Sequence, residues 1–260
     1  MTTNLPFFIG LRYIRSRRKN GFVSFISLLS FVAMALGVTA LILVLSVMNG
    51  FDHEIRQRIL NVVAHAAIFN EGGVRNWQQL GADATLTGGV EAFAPYVEGY
   101  GLLSSDAQGQ GVLIQGIDPL MEDAVSPISE HMMGGEMALL QPGEYGIVIG
   151  NLLARSLGVI RGDYVVLSLP ELNVTPAGIF PRYKRFRVFG VFQVGAQVDS
   201  GLAFVHYRDA QKLFRTGDAV TGVRLRLADP FDAGDIVAAL NDDMDPGFKA
   251  KAWTEDMGNL

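Results

Sequence analysis

The 260-residue chain contains no cysteine. Disulfides, thiol nucleophiles, thiolate metal sites and cysteine lipidation are therefore excluded within it. Histidine is scarce: His53, His65, His131 and His206 fall in four separate regions, with no HExxH and no His-x-His pair. The one carboxylate three residues from a histidine, Asp209 after His206, falls across a predicted strand end. Each histidine reads as a surface or packed residue, and no metal site is expected. No G-x-S-x-G elbow is present, and the single S-x-x-K match, Ser16 to Lys19, lies in a basic cluster and reads as chance. The glycines of Gly99–Gly111 match neither phosphate-loop pattern and predict a hairpin turn instead. The sequon Asn173-Val174-Thr175 is too short a pattern to carry weight. No catalytic residue, metal or cofactor is expected, and nothing points to an enzyme.

Charge is missing in one long stretch. From Phe22 to Asn49 the chain has 28 residues without Asp, Glu, Lys, Arg or His. As a helix rising about 1.5 Å per residue it reaches roughly 42 Å, against a hydrocarbon core of about 30 Å. A buried core helix is usually shorter and seldom uncharged on every face. A cleaved signal peptide has an apolar stretch of only about 7–15 residues. The stretch predicts a transmembrane helix with length left for tilt. Positions 1–51 also hold no acidic residue, and Arg12, Arg15, Arg17, Arg18 and Lys19 give them +5. The positive-inside rule then places the N-terminus in the cytoplasm and everything after Phe51 across the membrane. That remainder has 16 basic against 26 acidic residues, a net −10 that with the +5 makes the chain's −5. The acidic exported part gives no support to nucleic-acid binding, which needs a basic surface. The basic start suits anionic lipid head groups.

Pro6–Lys19 predicts an interfacial helix, with Phe7, Leu11 and Ile14 on one face. A bend is expected at Gly50, then a polar helical continuation over Asp52–Leu60. Strands are predicted at Val62–Phe69, Val90–Glu98, Gly111–Ile117, Tyr145–Ile149, Tyr164–Leu169, Arg185–Val194, Leu202–His206, Val223–Leu227 and Phe248–Trp253. A Gly-rich turn is expected at Gly72-Gly73. Helices are predicted at Trp77–Leu80, Asn151–Leu157 stopped by Gly158, Arg208–Phe214, and from an Asp232 cap to Leu240. The order implies a βαβ-like unit at each end, pairing into one α/β lobe, with a β-rich lobe between them.

One segment stands apart. Pro170–Arg185 joins two predicted strands and carries prolines at 170, 176 and 181. It adds the apolar Val174, Ile179 and Phe180, then Arg182, Lys184 and Arg185. Proline-rich chain is stiff and poorly suited to a simple hairpin turn. An arm presenting apolar tips beside cations is a docking device; the bland alternative is a long loop with a solvated basic end.

Phe8-Ile-Gly-Leu-Arg-Tyr-Ile-Arg15, Ser27-Leu-Leu-Ser30, Leu36-Gly-Val38 and Leu45-Ser-Val-Met-Asn-Gly-Phe51 closely resemble the start of the lipoprotein-releasing ABC permeases, the LolC/LolE family. Gly116-Ile-Asp-Pro119, Gly158-Val-Ile-Arg-Gly-Asp163 and the Thr175-Pro-x-Gly-x-x-Pro181 segment resemble that family's periplasmic domain. The resemblance covers essentially the whole chain, and the 170–185 segment is similar to the hook carried by LolC- and LolF-type members. It implies an α+β fold: residues 1–21 cytoplasmic or interfacial, a transmembrane helix at 22–49, and a MacB-like periplasmic domain at 50–260. Within that domain, 50–98 plus 219–260 would form the α/β lobe and 99–218 the β-rich lobe.

The implied function is that of a non-catalytic permease subunit in the bacterial inner membrane. It would extract acylated outer-membrane lipoproteins and hand them to the periplasmic chaperone LolA. The implied partners are a LolD-type ATPase that hydrolyses the ATP and a second permease chain, LolE-like or another copy. Val44, Val47 and Met48 would line the lipoprotein cavity. Val174, Pro176, Ile179 and Phe180 would contact the chaperone, supported by Lys184. Val165–Leu169 lacks the arginine that LolC-type members carry there, so chaperone affinity is expected to differ. Family members have four spans against the one seen here, so a truncated chain is expected. Two other classes stay open, a MacB-type export permease and a single-span periplasmic sensor or binding module; FtsX-like permeases share the plan without the hook.

Overall fold

The computed structural model describes residues 21–60, 64–105, 108–175, 178–195 and 198–254, with the backbone alone at Val23, 51–60, 171–175 and 178–181. The expected interfacial helix at Pro6–Lys19 lies outside them. The chain divides into two compact units, Met1–Gln57 and Arg58–Leu260.

The first unit is dominated by one helix, α1 (Gly21–Leu60), rich in Leu, Val and Ala and free of proline. It runs through Gly50, where a bend was expected, and takes in the polar continuation to Leu60. The window Ser24–Gly50 is long and apolar enough to cross a membrane, and none of it is buried. That removes the core-helix alternative: a soluble helix this apolar would have to be covered.

The second unit is built on one sheet. Strands β1 (Ala66–Val74) and β2 (Val90–Ser105) are joined by α2 (Trp77–Leu86), and β9 (Val220–Leu227) and β10 (Lys249–Ala252) by α7 (Ala233–Asp243). The order β10-β1-β9-β2 is antiparallel throughout. Neither βαβ unit pairs its own strands: β9 inserts between β1 and β2, and β1 between β9 and β10. Two split βαβ units interleave in this way, which ties the ends of the domain together. Ile68, Val223, Leu225, Val237 and Leu240 are buried in the core.

The middle of the chain closes on itself. Strand β2 pairs β3 (Gln108–Ile117), β3 pairs β8 (Leu202–His206), and β8 pairs β5 (Gly146–Gly150). Strand β5 pairs β7 (Gly178–Phe192), β7 pairs β6 (Tyr164–Thr175), and β6 returns to β2. The six strands form a ring, a small barrel with no free edge along its closed part. Its inward residues alternate along each strand: Leu103, Ile114, Ile147, Leu167, Phe186 and Val205 are almost fully buried. A short strand, β4 (Met132–Gly134), adds to β7 outside the ring. There Phe192 and Phe204 stack edge-on at 5.4 Å in a separate apolar cluster. The connecting helices are α3 (Pro119–Val125), α4 (Asn151–Leu157), α5 (Val198–Gly201) and α6 (Tyr207–Phe214).

Three local readings change. Gly72-Gly73 lies inside β1, where the register shifts between Phe69 and Val74, rather than in a turn. The hairpin expected over Gly99–Gly111 is present, but most of those residues are strand and not turn: β2 and β3 pair from Tyr96↔Ile117 to Ser105↔Gln108. The 170–185 segment, expected as a loop unsuited to a hairpin, is itself a hairpin: β6 and β7 pair on through Leu172↔Pro181 to Thr175↔Gly178, past a shift between Leu169 and Leu172. Proline is tolerated in edge strands and at bulges because a missing N–H costs nothing where it has no partner.

Candidate functional site

The motifs that carry the resemblance have physical work to do in this fold. Gly116 on β3 lies against α6: a Cβ there would meet the Ala210 Cβ at 2.3 Å and the Tyr207 Cα at 2.9 Å. Asp118 caps α3, its carboxylate accepting from Leu120 N (3.1 Å) and Met121 N (3.4 Å), with Pro119 in the first turn. Gly158 closes α4 in the left-handed region at φ 66. Asp163 then accepts from Ile160 N at 2.8 Å and turns the chain into β6.

Beyond the ring, β6 and β7 run on as a two-stranded arm. The last described pairing of β6 with β2 is Leu102↔Ser168, so Leu172–Thr175 and Gly178–Pro181 pair only with each other. Val174, Ile179 and Phe180 sit on this arm by their backbone; their side chains, and Pro176 entirely, lie outside the described residues.

The base of the arm is fully defined. Strand alternation puts Arg182 and Lys184 on the same face of β7 as buried Phe186, and exposed Tyr183 and Arg185 on the other. The Lys184 ammonium stands 3.4 Å over the Tyr145 ring, and the Arg185 guanidinium 3.8 Å over the Tyr164 ring. Arg182 Nη2 donates to the Leu213 carbonyl at 2.7 Å. A shallow cavity of about 110 Å³ opens here, lined by Tyr145, Leu169 and Tyr183 with the cations Arg182, Lys184 and Lys212. Val165, Leu167 and Leu169 point into the barrel and are buried, so those positions have no room for a solvated arginine. A second cation reaches the base from the facing strand, through Arg182 opposite Leu169. Tyr145 was not legible in the sequence: it sits in an ordinary-looking Pro-Gly-Glu-Tyr turn, and only the fold brings it under Lys184.

On α1, the i, i+3, i+4 spacing sets Val44, Val47 and Met48 on one face. All three are exposed, as are their neighbours around the helix, so exposure alone does not single them out.

Polar groups in the core serve structure. Arg224 on β9 meets Glu122 on α3 at 2.5 Å, and its guanidinium lies 5.0 Å from the Tyr96 ring. Burial holds the Glu122 carboxyl above its ordinary value, against the pull of Arg224. Glu122 Oε2 and Arg224 Nη2 have no hydrogen-bond partner among the described residues. His206 is pushed below its ordinary value, chiefly by burial, while Asp118 and Asp209 oppose the shift. Among the described residues no three His, Asp or Glu side chains gather closely enough to hold a metal.

The chain combines one candidate membrane-crossing helix with a mixed α+β domain that carries a paired arm, the plan of a membrane protein with a folded extramembrane part. The chain belongs to the family of the MacB-like periplasmic core domain, whose model matches residues 27–243, and within it to the LolC/LolE lipoprotein-releasing permeases. It is 43% identical to "Lipoprotein-releasing system transmembrane protein LolC" of Xylella fastidiosa (strain 9a5c) over 254 residues, covering 97% of this chain and 61% of that protein. The protein of the same name from Neisseria meningitidis serogroup B is 44% identical, over 91% of this chain and 58% of that one. The LolE of Haemophilus influenzae is 31% identical over 99% and 63%. The chain thus spans about three fifths of the curated relatives it matches. Among solved structures it is similar to the periplasmic region of MacB from Actinobacillus actinomycetemcomitans (TM-score 0.47, 12% identity, 76% of this chain and 94% of that one).

Proposed function

We propose that this chain is the first span and periplasmic domain of a LolC-type permease subunit. In this reading the subunit extracts acylated lipoproteins from the inner membrane and passes them to a LolA-type chaperone. In this reading the N-terminus is cytoplasmic, supported by the basic residues 12–19 and the acid-free first 51 positions. A LolD-type ATPase supplies the energy, and a second permease chain completes the membrane part. Relatives named LolC match at 43–44% identity in two organisms, but in Haemophilus influenzae the LolC relative matches at 29% and the LolE relative at 31%, so the LolC-type assignment rests on the arm and not on identity.

The observation that carries the chaperone reading is the arm. Two strands leave a closed barrel and, among the described residues, Leu172–Thr175 and Gly178–Pro181 pair only with each other, with cations gathered at the base. A two-stranded ribbon standing alone is marginally stable and gains from a partner surface. Val174, Pro176, Ile179 and Phe180 are the contact residues, with Lys184 as the supporting cation. Val44, Val47 and Met48 form the face of α1 that meets acyl chains, Met48 by its flexible thioether. The arm, 170–185, belongs to a β-rich lobe of 99–218 set against an α/β lobe of 50–98 plus 219–260.

The test is a titration of the chain, held in nanodiscs, with a LolA-type chaperone, comparing wild type with Pro176→Ala/Phe180→Ala. Saturable binding that the double variant loses supports the reading. Failure of the wild type to bind sinks it, favours a MacB-type exporter, and leaves the arm without a role.

A further inference from the structure

We infer that Tyr145 and Asp209 are positioning residues of the arm: Asp209 locks Tyr145 in a left-handed turn, and the Tyr145 ring seats the Lys184 ammonium. The inference rests on the reading that Lys184 meets the chaperone, but the geometry stands apart from it.

The turn is strained and held. Tyr145 has φ 52, a region unfavourable for a residue with a Cβ. Asp209, fully buried in the first turn of α6, accepts from Gly143 N at 2.8 Å and from Tyr145 N at 3.2 Å. The Tyr145 carbonyl accepts from Arg187 N at 3.0 Å. Its ring packs edge-on against Phe186 at 5.8 Å and 78°, and its face carries Lys184 at 3.4 Å. One side chain and its carbonyl therefore touch β7 at Lys184, Phe186 and Arg187, where the arm leaves the barrel.

Strain of this kind persists only where the surroundings over-determine it. Glycine would take the same backbone conformation at no cost. An aromatic residue there is explained by what its ring does. The ring is half-buried: one side packs against the core, and its other face carries the cation. A flexible lysine loses rotamer entropy on binding; a lysine already held over a ring has lost much of it beforehand.

The experiment has two readouts on the full 260-residue chain in nanodiscs. With [ε-13C]lysine labelling, the Lys184 resonance, assigned by its loss in Lys184→Met, is expected shifted by the ring current in wild type and Tyr145→Phe. In Tyr145→Leu it moves to the ordinary lysine position, and in Asp209→Asn it moves part of the way. In the chaperone titration, Tyr145→Leu is expected to weaken binding by roughly threefold to tenfold, the scale of a cation–π contact, with Tyr145→Phe restoring it. Tyr145→Leu should then cost nothing further on a Lys184→Met background. An unshifted wild-type Lys184, or additive losses in the double variant, overturns the inference. A wild-type chain that keeps the shift but binds no chaperone sinks the docking reading and leaves the positioning established by the resonance.

Discussion

His206 ends β8 and caps α6 with one side chain: its Nδ1 accepts from Arg208 N at 3.1 Å, and its ring stacks on Tyr207 at 4.9 Å. The cap needs Nδ1 unprotonated. Because the folded protein holds His206 below its ordinary value of 6.5, the unfolded chain takes up the proton first as pH falls. The stability due to the neutral ring is complete above about pH 6.5 and is lost as pH drops through that value toward the lower folded one. Urea midpoints of the chain should therefore fall between pH 7 and pH 5. His206→Asn, which caps without titrating, should flatten that slope; an unchanged slope refutes the assignment. The Glu122–Arg224 pair makes a second residue-scale prediction. Glu122→Ala strands a buried guanidinium and is expected to cost about 3–5 kcal/mol in chemical denaturation, whereas Glu122→Met with Arg224→Leu together should cost far less. Neither role was legible in the sequence. An isolated histidine or a Glu and an Arg 102 residues apart carry no pattern, and the fold alone brings them together.

At the scale of elements, helix stops and strand cores were legible because their signals are local. Gly158 after Asn151–Leu157, and Leu202–His206, fall where turn chemistry and β-branched content put them. Strand ends were not. β2 runs to Ser105 and β7 starts at Gly178 because partner strands complete hydrogen bonds that glycine and proline content argue against. Helix α3 is not legible despite its Asp118-Pro119 start: unlike the equally short α4, it has no glycine stop, and Ser126 ends it. Packing between elements yields a test at Gly116. Gly116→Ala drives a methyl into Ala210 and the backbone of α6, and is expected to cost about 1–3 kcal/mol, read as a lowered denaturation midpoint. A neutral outcome would mean that α6 can move off β3. The arm behaves oppositely. Replacing 172–181 by Asn-Gly should leave the midpoint nearly unchanged, since among the described residues 172–175 and 178–181 pair only with one another.

For the whole molecule, the sequence shows a long uncharged helix, an α+β domain and paired terminal βαβ units. It does not show that the units interleave as β10-β1-β9-β2, or that the middle strands close into a ring. Those pairings join residues far apart in sequence, such as Ala66 with Leu225 and Leu102 with Ser168, and no local pattern encodes them. Strand β2 takes part in both arrangements, which is why residues 58–260 hold together as one unit. A barrel closed on six strands gives the arm a rigid root, and a rigid root is what a docking device needs to lower the ordering cost of binding. The central claim is that the arm hands lipoprotein on. It is tested most directly in cells whose only copy of the full-length gene has 172–181 replaced by Asn-Gly, by separating inner and outer membranes on a density gradient and following outer-membrane lipoproteins. The account predicts that the subunit is made and inserted while the lipoproteins stay in the inner membrane. Normal arrival at the outer membrane would contradict it.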